Sequence, residues 1–362
     1  MKNRLLYIII LAIGSILLSC SKSSLEQEGG LLPDIPNYIP AAGSIGFGVS
    51  DDWIPMSKAM TKAQDVSDPS KVEFAQGDKI GVFGYYLGES GTVASTNPNF
   101  MYNQAVTRGA GDGANAVWDY SPKKYWSKNP QDKFAFFAYY PHSTLYNPVL
   151  DPDISWSANN SNGAPTLTYT APESSSGSKV DFLYAKVENT REGFSDDKVS
   201  FNFRHMLAKV QFKFEVAGGK TAYIKHIGFS IPKSGTFNFT EGGDPLLPLW
   251  SNVSGTKSVT FNISDTGIEV PVKDGETVLP VHNFTVFALP CTTLGKLTLR
   301  MSTDHYTYTT ITTENPVDVD VVAGKVTTVT VTINPKGLSV TAETQPWSEE
   351  TYSPIFTPDK DQ

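Results

Sequence analysis

The chain has 362 residues, a formal net charge of −8, 18% charged residues and 12% aromatic residues. The acidic balance excludes a nucleic-acid binder built on basic, phosphate-contacting patches. Two cysteines, Cys20 and Cys291, exclude a multi-disulfide framework, so a body of this length must hold together by its buried core.

Taken in chain order, the first element is a leader. Lys2 and Arg4 precede an apolar run, Leu5 to Leu18, broken only by Gly14 and Ser15. The run has 14 residues, whereas a helical membrane span takes about 20. A charged flank, a short apolar core and small residues before the cut make a secretory signal peptide. Leu17-Leu18-Ser19-Cys20 resembles a lipobox, with Cys20 as the acylated first residue of the mature chain. Each buried CH2 contributes about 0.8 kcal/mol and stable attachment takes more than one chain, a condition that a diacylated Cys20 meets. Ser21, rather than Asp, follows it, which by resemblance to known lipoproteins favours the outer membrane. The expected mature chain has 362 − 19 = 343 residues and, without Lys2 and Arg4, a net charge of about −10. With Cys20 acylated, Cys291 has no cysteine to pair with.

Beyond a polar tether at residues 20–40, the body reads as short period-2 runs separated by Gly, Pro, Asn and Asp turns. Lys209 to Val216 is the clearest. Val210, Phe212, Phe214 and Val216 share one face; Lys209, Gln211, Lys213 and Glu215 share the other, which is expected to meet water. Tyr223–Ile231, Ser258–Ile263, Asn283–Leu289, Lys296–Met301 and Thr327–Ile333 read similarly. In the first half Val72-Glu73-Phe74, Ile80–Tyr86, Lys133–Tyr140 and Val180–Val187 are strand candidates, while residues 87–131 and 141–179 read as long loops. The expectation is an all-β fold of β-sandwich domains: a signal peptide at 1–19, a tether at 20–40, and two tandem domains at 41–195 and 196–362.

Residue types that could carry chemistry do not converge. The five histidines, His142, His205, His226, His282 and His305, show no metal-ligand spacing. Ser-x-x-Lys, as at Ser121/Lys124, Ser195/Lys198 and Ser230/Lys233, recurs without its companion signatures. Gly109-Ala110-Gly111-Asp112-Gly113-Ala114 fits a loose dinucleotide fingerprint without the strand before it and the helix after it. Asp151-Pro152-Asp153 and Asp196-Asp197 read as turns rather than calcium ligands. No enzyme, metal or cofactor is expected. Tyr85-Tyr86, Tyr125-Trp126 and Tyr139-Tyr140 are candidates for a glycan-stacking platform, the basis of an alternative reading as a surface glycan-binding lipoprotein.

An ordered set of motifs points further. Met60-Thr61-Lys62-Ala63 is followed by Phe74-Ala75-Gln76-Gly77-Asp78-Lys79-Ile80-Gly81-Val82-Phe83. Next come Asn99-Phe100-Met101-Tyr102-Asn103, then Trp118 to Trp126, then Phe136 to Pro141. The second half carries Phe203-Arg204-His205-Met206-Leu207-Ala208-Lys209-Val210 and closes with Ala323-Gly324-Lys325 and Trp347. In this order the pieces resemble the fimbrillin-like proteins of the Bacteroidetes, which supply stalk, anchor and tip subunits of surface pili.

The resemblance implies two sandwiches of transthyretin-like type and assembly by strand exchange. In that mechanism a protease removes the lipid anchor with an N-terminal strand, and a neighbour's strand fills the opened groove by β-augmentation, covering an otherwise exposed edge. Family stalk subunits are cut after an arginine, yet no arginine lies between Cys20 and Arg108. Lys62, before Ala63, is the nearest basic candidate for the cut, with Lys58 second. A donor strand could lie in residues 349–356, where Tyr352 and Phe356 supply apolar anchors; Pro354, lacking a ladder donor, counts against it. The implied partners are other fimbrial subunits, the outer membrane through lipid on Cys20, and host or bacterial surface ligands, with no nucleic acid. A polymerising stalk and a lipid-retained anchor or tip both remain open.

Overall fold

A computed structural model of the chain describes residues 35, 37–49, 74–111, 116–143, 152–173, 180–239, 250–270, 272 and 284–346. It is almost entirely β, as expected. The first sheet has six antiparallel strands in the order β12 (Arg204–His205), β10 (Leu183–Thr190), β7 (Lys133–Tyr140), β3 (Lys79–Gly88), β4 (Met101–Arg108) and β5 (Trp118–Asp119). Two short strands cover one of its faces. β1 (Pro40–Ser44) pairs antiparallel with β6 (Tyr125–Ser127), and β2 (Gly46–Val49) pairs parallel with β11 (Lys198–Phe201).

Two further sheets face each other. One runs β17 (Phe284–Ala288), β13 (Ala208–Val216), β22 (Lys325–Asn334), β23 (Gly337–Pro346). The other runs β20 (Thr309–Thr312), β19 (Thr298–Ser302), β14 (Ala222–Asn238), β9 (Thr166–Thr170), β8 (Asp153–Trp156), with β15 (Trp250–Asn262) and β16 (Ile268–Val270) also on β14. A small ladder joins β18 (Cys291–Thr293) to β21 (Asp318–Val321).

The period-2 pattern of β13 does what it predicts on one face: Val210, Phe212, Phe214 and Val216 are buried, facing Ile224, Ile227 and Phe229 of β14. Its other face departs from expectation. Gln211 is buried there and donates from Nε2 to Thr328 Oγ1 of β22 at 2.9 Å. The cause lies in the neighbours: Phe287 of β17 and Val326 of β22 pack, at this end of the sheet, into a core shared with the first half of the chain.

That shared core explains the first sheet. Phe134, Phe136 and Ala138 of β7 point into a core beneath β1 and β2, while Ala135, Phe137 and Tyr139 point into the shared one. With both faces covered, β3 and β7 read as near-continuous apolar runs, as strands buried on two sides do. Opposite them stand Met206, Leu207, Phe237 and Trp250. Trp250 Nε1 donates to the Met206 carbonyl at 2.6 Å, so its one polar atom is satisfied inside the core.

Pairing does not follow the division expected at 195/196. β11 and β12, after it, hydrogen-bond to β2 and β10; β8 and β9, before it, belong to the sheet of β14. The two regions read as loops also contain strands: β4, β5 and β6 in 87–131, β8 and β9 in 141–179. β9 had a legible signal, since Leu167 and Tyr169 alternate with three threonines and are buried. β4 did not, because its polar Gln104 is buried and donates to the Ser121 carbonyl at 3.2 Å.

Candidate functional site

The arrangement with functional content is the seat of β1 and β2. Ile45 and Phe47 are buried in the core of the first sheet. Phe47 lies parallel to Phe201 at a centroid distance of 5.8 Å and edge-on to Tyr120 at 5.2 Å and Phe136 at 5.8 Å. Glycines flank Phe47, and a Cβ on Gly48 would meet the flexible end of the Lys198 side chain of β11, at 2.0 Å from Cε. The signal for this segment was present in the sequence, as Ile45-Gly46-Phe47-Gly48-Val49 alternates apolar residues with glycine. Its short length and the Pro-Ala-Ala-Gly lead-in hid it.

Polar contacts hold the segment along its length. Ile45 N–H donates to the Lys124 carbonyl at 2.8 Å, and Tyr120 Oη donates to the Ile45 carbonyl at 3.0 Å. Lys128 N–H donates to the Ile39 carbonyl at 2.9 Å, and Tyr38 Oη to the Tyr125 carbonyl. The Tyr38 ring stands edge-on to Tyr86 and Phe100 at 5.2 and 5.6 Å. Burial pushes the phenols of Tyr38 and Tyr120 up to about 12. Beside the segment lies an open cavity of about 780 Å³, walled by Ile35, Asn37 and Ile39 on one side and Glu89, Asn129 and Asp132 on another. Asp132 is buried there and accepts from Tyr86 Oη at 2.8 Å and from Ser127 Oγ.

The aromatic pairs named as a glycan platform do not form one. Tyr85, Tyr86, Trp126, Tyr139 and Tyr140 are buried, and Trp118 with them. Tyr125 alone of the six paired aromatics is exposed, at 41%. The phenols have internal partners: Tyr85 Oη donates to the Gly163 carbonyl at 3.0 Å and Tyr139 Oη to Asn103 Oδ1 at 2.7 Å. Trp126 Nε1 donates to the Asp197 carbonyl at 3.1 Å, and Arg191 lies over its ring at 4.9 Å. Consecutive residues of a strand face opposite ways, so Tyr85 and Tyr139 enter the shared core and Tyr86 and Tyr140 the core beneath β1 and β2, while of the third pair only Trp126 sinks and Tyr125 stays outside.

The other candidates are scattered. Asp197 pairs with Arg191, and both Asp196 and Asp197 adopt positive φ, of 54° and 55°, in a turn. His205 Nδ1 lies 2.8 Å from Asp181 Oδ2, both side chains buried. Nearby, burial lowers the Lys209 ammonium while the charge of Asp181 opposes that shift. Among the described residues no three His, Cys, Asp or Glu side chains converge as metal ligands. Burial pushes the Cys291 thiol up to about 11. Cys20, Lys62, Ala63, Tyr352 and Phe356 lie outside the described residues.

A family model described as fimbrillin-like matches residues 61–347. The chain belongs to the fimbrillin-like family. β1 and β2 precede the matched region of this fimbrillin-like chain. A fimbrium subunit of Phocaeicola vulgatus, Fim1C, is 27% identical over 138 residues, covering 36% of the chain and 35% of that subunit. The chain thus matches about a third of the length of this curated relative. The crystal structure of a fimbrial protein from Bacteroides vulgatus superimposes with a TM-score of 0.52 at 20% identity, covering 84% of the chain and 99% of that structure. That likeness is one of fold.

Proposed function

We propose that this fimbrillin-like chain is a fimbrial subunit, exported as a lipoprotein acylated on Cys20 and assembled at the outer-membrane surface by strand exchange. The observation that carries the reading is the seat of β1 and β2. This segment lies between Cys20 and Lys62, so a cut between Lys62 and Ala63 would release it together with the lipid. Its departure would uncover Tyr120, Phe136 and Phe201 and free one edge of β11. An apolar groove beside an unpaired edge is what a strand from a neighbouring subunit fills, with backbone hydrogen bonds for affinity and pockets for alternate side chains. Tyr352 and Phe356 are the proposed anchors of that donor. In sequence they follow β23, an edge strand of its sheet. The fimbrial name of the Phocaeicola relative supports the same role and other fimbrial subunits as partners.

The experiment is the intact mass of the protein recovered from the cell surface. A mass beginning at Ala63 without lipid supports a polymerising subunit. A mass beginning at acylated Cys20 rejects maturation at Lys62 and makes the chain a lipid-retained anchor or tip. A mass beginning elsewhere without lipid moves the cut and rejects Lys62.

A further inference from the structure

Ile45 lies between β1 and β2 and belongs to neither. One connection, residues 120–124 between β5 and β6, holds both of its backbone polar groups. Ile45 N–H donates to the Lys124 carbonyl at 2.8 Å, and its carbonyl accepts from Tyr120 Oη at 3.0 Å. Lys124 N–H donates to the same hydroxyl at 3.2 Å. The hydroxyl proton is left for the Ile45 carbonyl, which is closer than the Lys124 carbonyl at 3.3 Å. Tyr120 is 4% exposed and touches the seated segment twice. Its hydroxyl holds the main chain of residue 45, and its ring stands edge-on to Phe47 at 5.2 Å. The connection is itself fixed by buried neighbours. Gln104 Nε2 of β4 donates to the Ser121 carbonyl at 3.2 Å, and Trp126 Nε1 of β6 donates to the Asp197 carbonyl, just before β11, at 3.1 Å. The grip on residue 45 thus stands at a set spacing from Phe201, the ring on which Phe47 stacks.

Such a grip decides register. The ladder of β2 and β11 runs from Lys198 with Gly46 to Phe201 with Val49. Main-chain hydrogen bonds repeat along a strand and do not distinguish one residue from the next. A slip of one turns every side chain to the other face; a slip of two keeps the faces but moves the ring off its seat. The grip removes this ambiguity. It requires a residue carrying an N–H, which excludes proline, two positions before the side chain that stacks on Phe201. It also sets direction. A reversed strand would present a carbonyl to the Lys124 carbonyl, two acceptors with no donor between them.

We propose that Tyr120 sets the register of the strand that a neighbouring subunit seats in this cleft, so that the strand runs parallel to β11 with an aromatic ring on Phe201. The proposal rests on assembly by strand exchange. Its test uses the full chain displayed on cells, with p-benzoylphenylalanine in place of Ser200, which is exposed and pairs with Gly48. Light links position 200 to the strand beside it, and mass spectrometry of the surface protein identifies the captured residue. Capture should fall on one residue of a neighbouring subunit, directly after an aromatic one. Tyr120→Phe keeps the ring and loses the grip. It should lower the ratio of that capture to capture two positions away about tenfold, as expected for one hydrogen bond. Tyr125→Phe, which changes an exposed ring of β6, should capture like the parent. Circular dichroism of each variant checks the fold. Capture spread over several registers in the parent, capture beside no aromatic residue, or an unchanged ratio in Tyr120→Phe overturns the proposal and leaves strand exchange standing. Capture of the chain's own Gly48 alone overturns both, because the N-terminal segment then never leaves.

Discussion

Phe47 lies flat against Phe201, with ring centroids 5.8 Å apart and planes inclined by 5°. The two residues belong to the parallel pair β2 and β11, in which Phe47 stands beside Val199 and Val49 beside Phe201. One short N-terminal strand thus closes a cleft whose other walls are Tyr120 and Phe136.

Removing that ring should loosen the segment before the rest of the fold. Phe47 is 3% exposed, and truncating a buried phenylalanine to alanine costs about 3–5 kcal/mol. Phe47→Ala should therefore raise hydrogen exchange at residues 45–49 strongly while the amides of β7 keep their protection. Equal acceleration in both places would mean that the segment is integral to the global fold rather than separately releasable.

The same segment should respond to alkali. Burial raises the phenols of Tyr38 and Tyr120 from 10.0 to about 12. A group whose folded value is raised contributes stability that is complete below its unfolded value and is lost as pH climbs through the folded one. The window is thus about pH 10 to 12. Ionised Tyr120 can no longer donate to the Ile45 carbonyl. Subtilisin should cut within residues 38–49 faster near pH 11 than near pH 9, as read by mass spectrometry. Tyr120→Phe, lacking the donor, should already be cut faster near pH 9, and its rate should change less with pH.

Trp126 should matter for stability rather than for sugar binding. It is fully buried, edge-on to Phe134 at 5.2 Å, so Trp126→Ala should cost about 3–5 kcal/mol in urea unfolding. Its exposed neighbour is the internal control: Tyr125→Ala should change stability by about 0.5 kcal/mol or less. Near-equal losses would contradict the burial that rules out the paired aromatics as a platform.

Much of the β architecture was legible locally. The limits of β7 at Lys133 and Tyr140, and the core face of β13, follow from residue types and a repeat of two. The β9 alternation was equally readable, whereas β4 hid behind polar residues that the fold buries and satisfies. For the cleft, the spacing of Ile45, Phe47 and Val49 was visible, but nothing local marks Phe201 as the ring that Phe47 would meet.

The sequence by itself determined that the chain is all-β and which side chains share a strand face, because alternation is a property of neighbouring residues. Only the tertiary structure decided what covers each face. Tyr139 reads as a candidate platform residue until Trp156 is seen against it, and only the fold brings Phe239 onto its neighbour on the same face, Phe137. Contacts between residues far apart in the chain are chosen by packing, and packing leaves no period in the sequence.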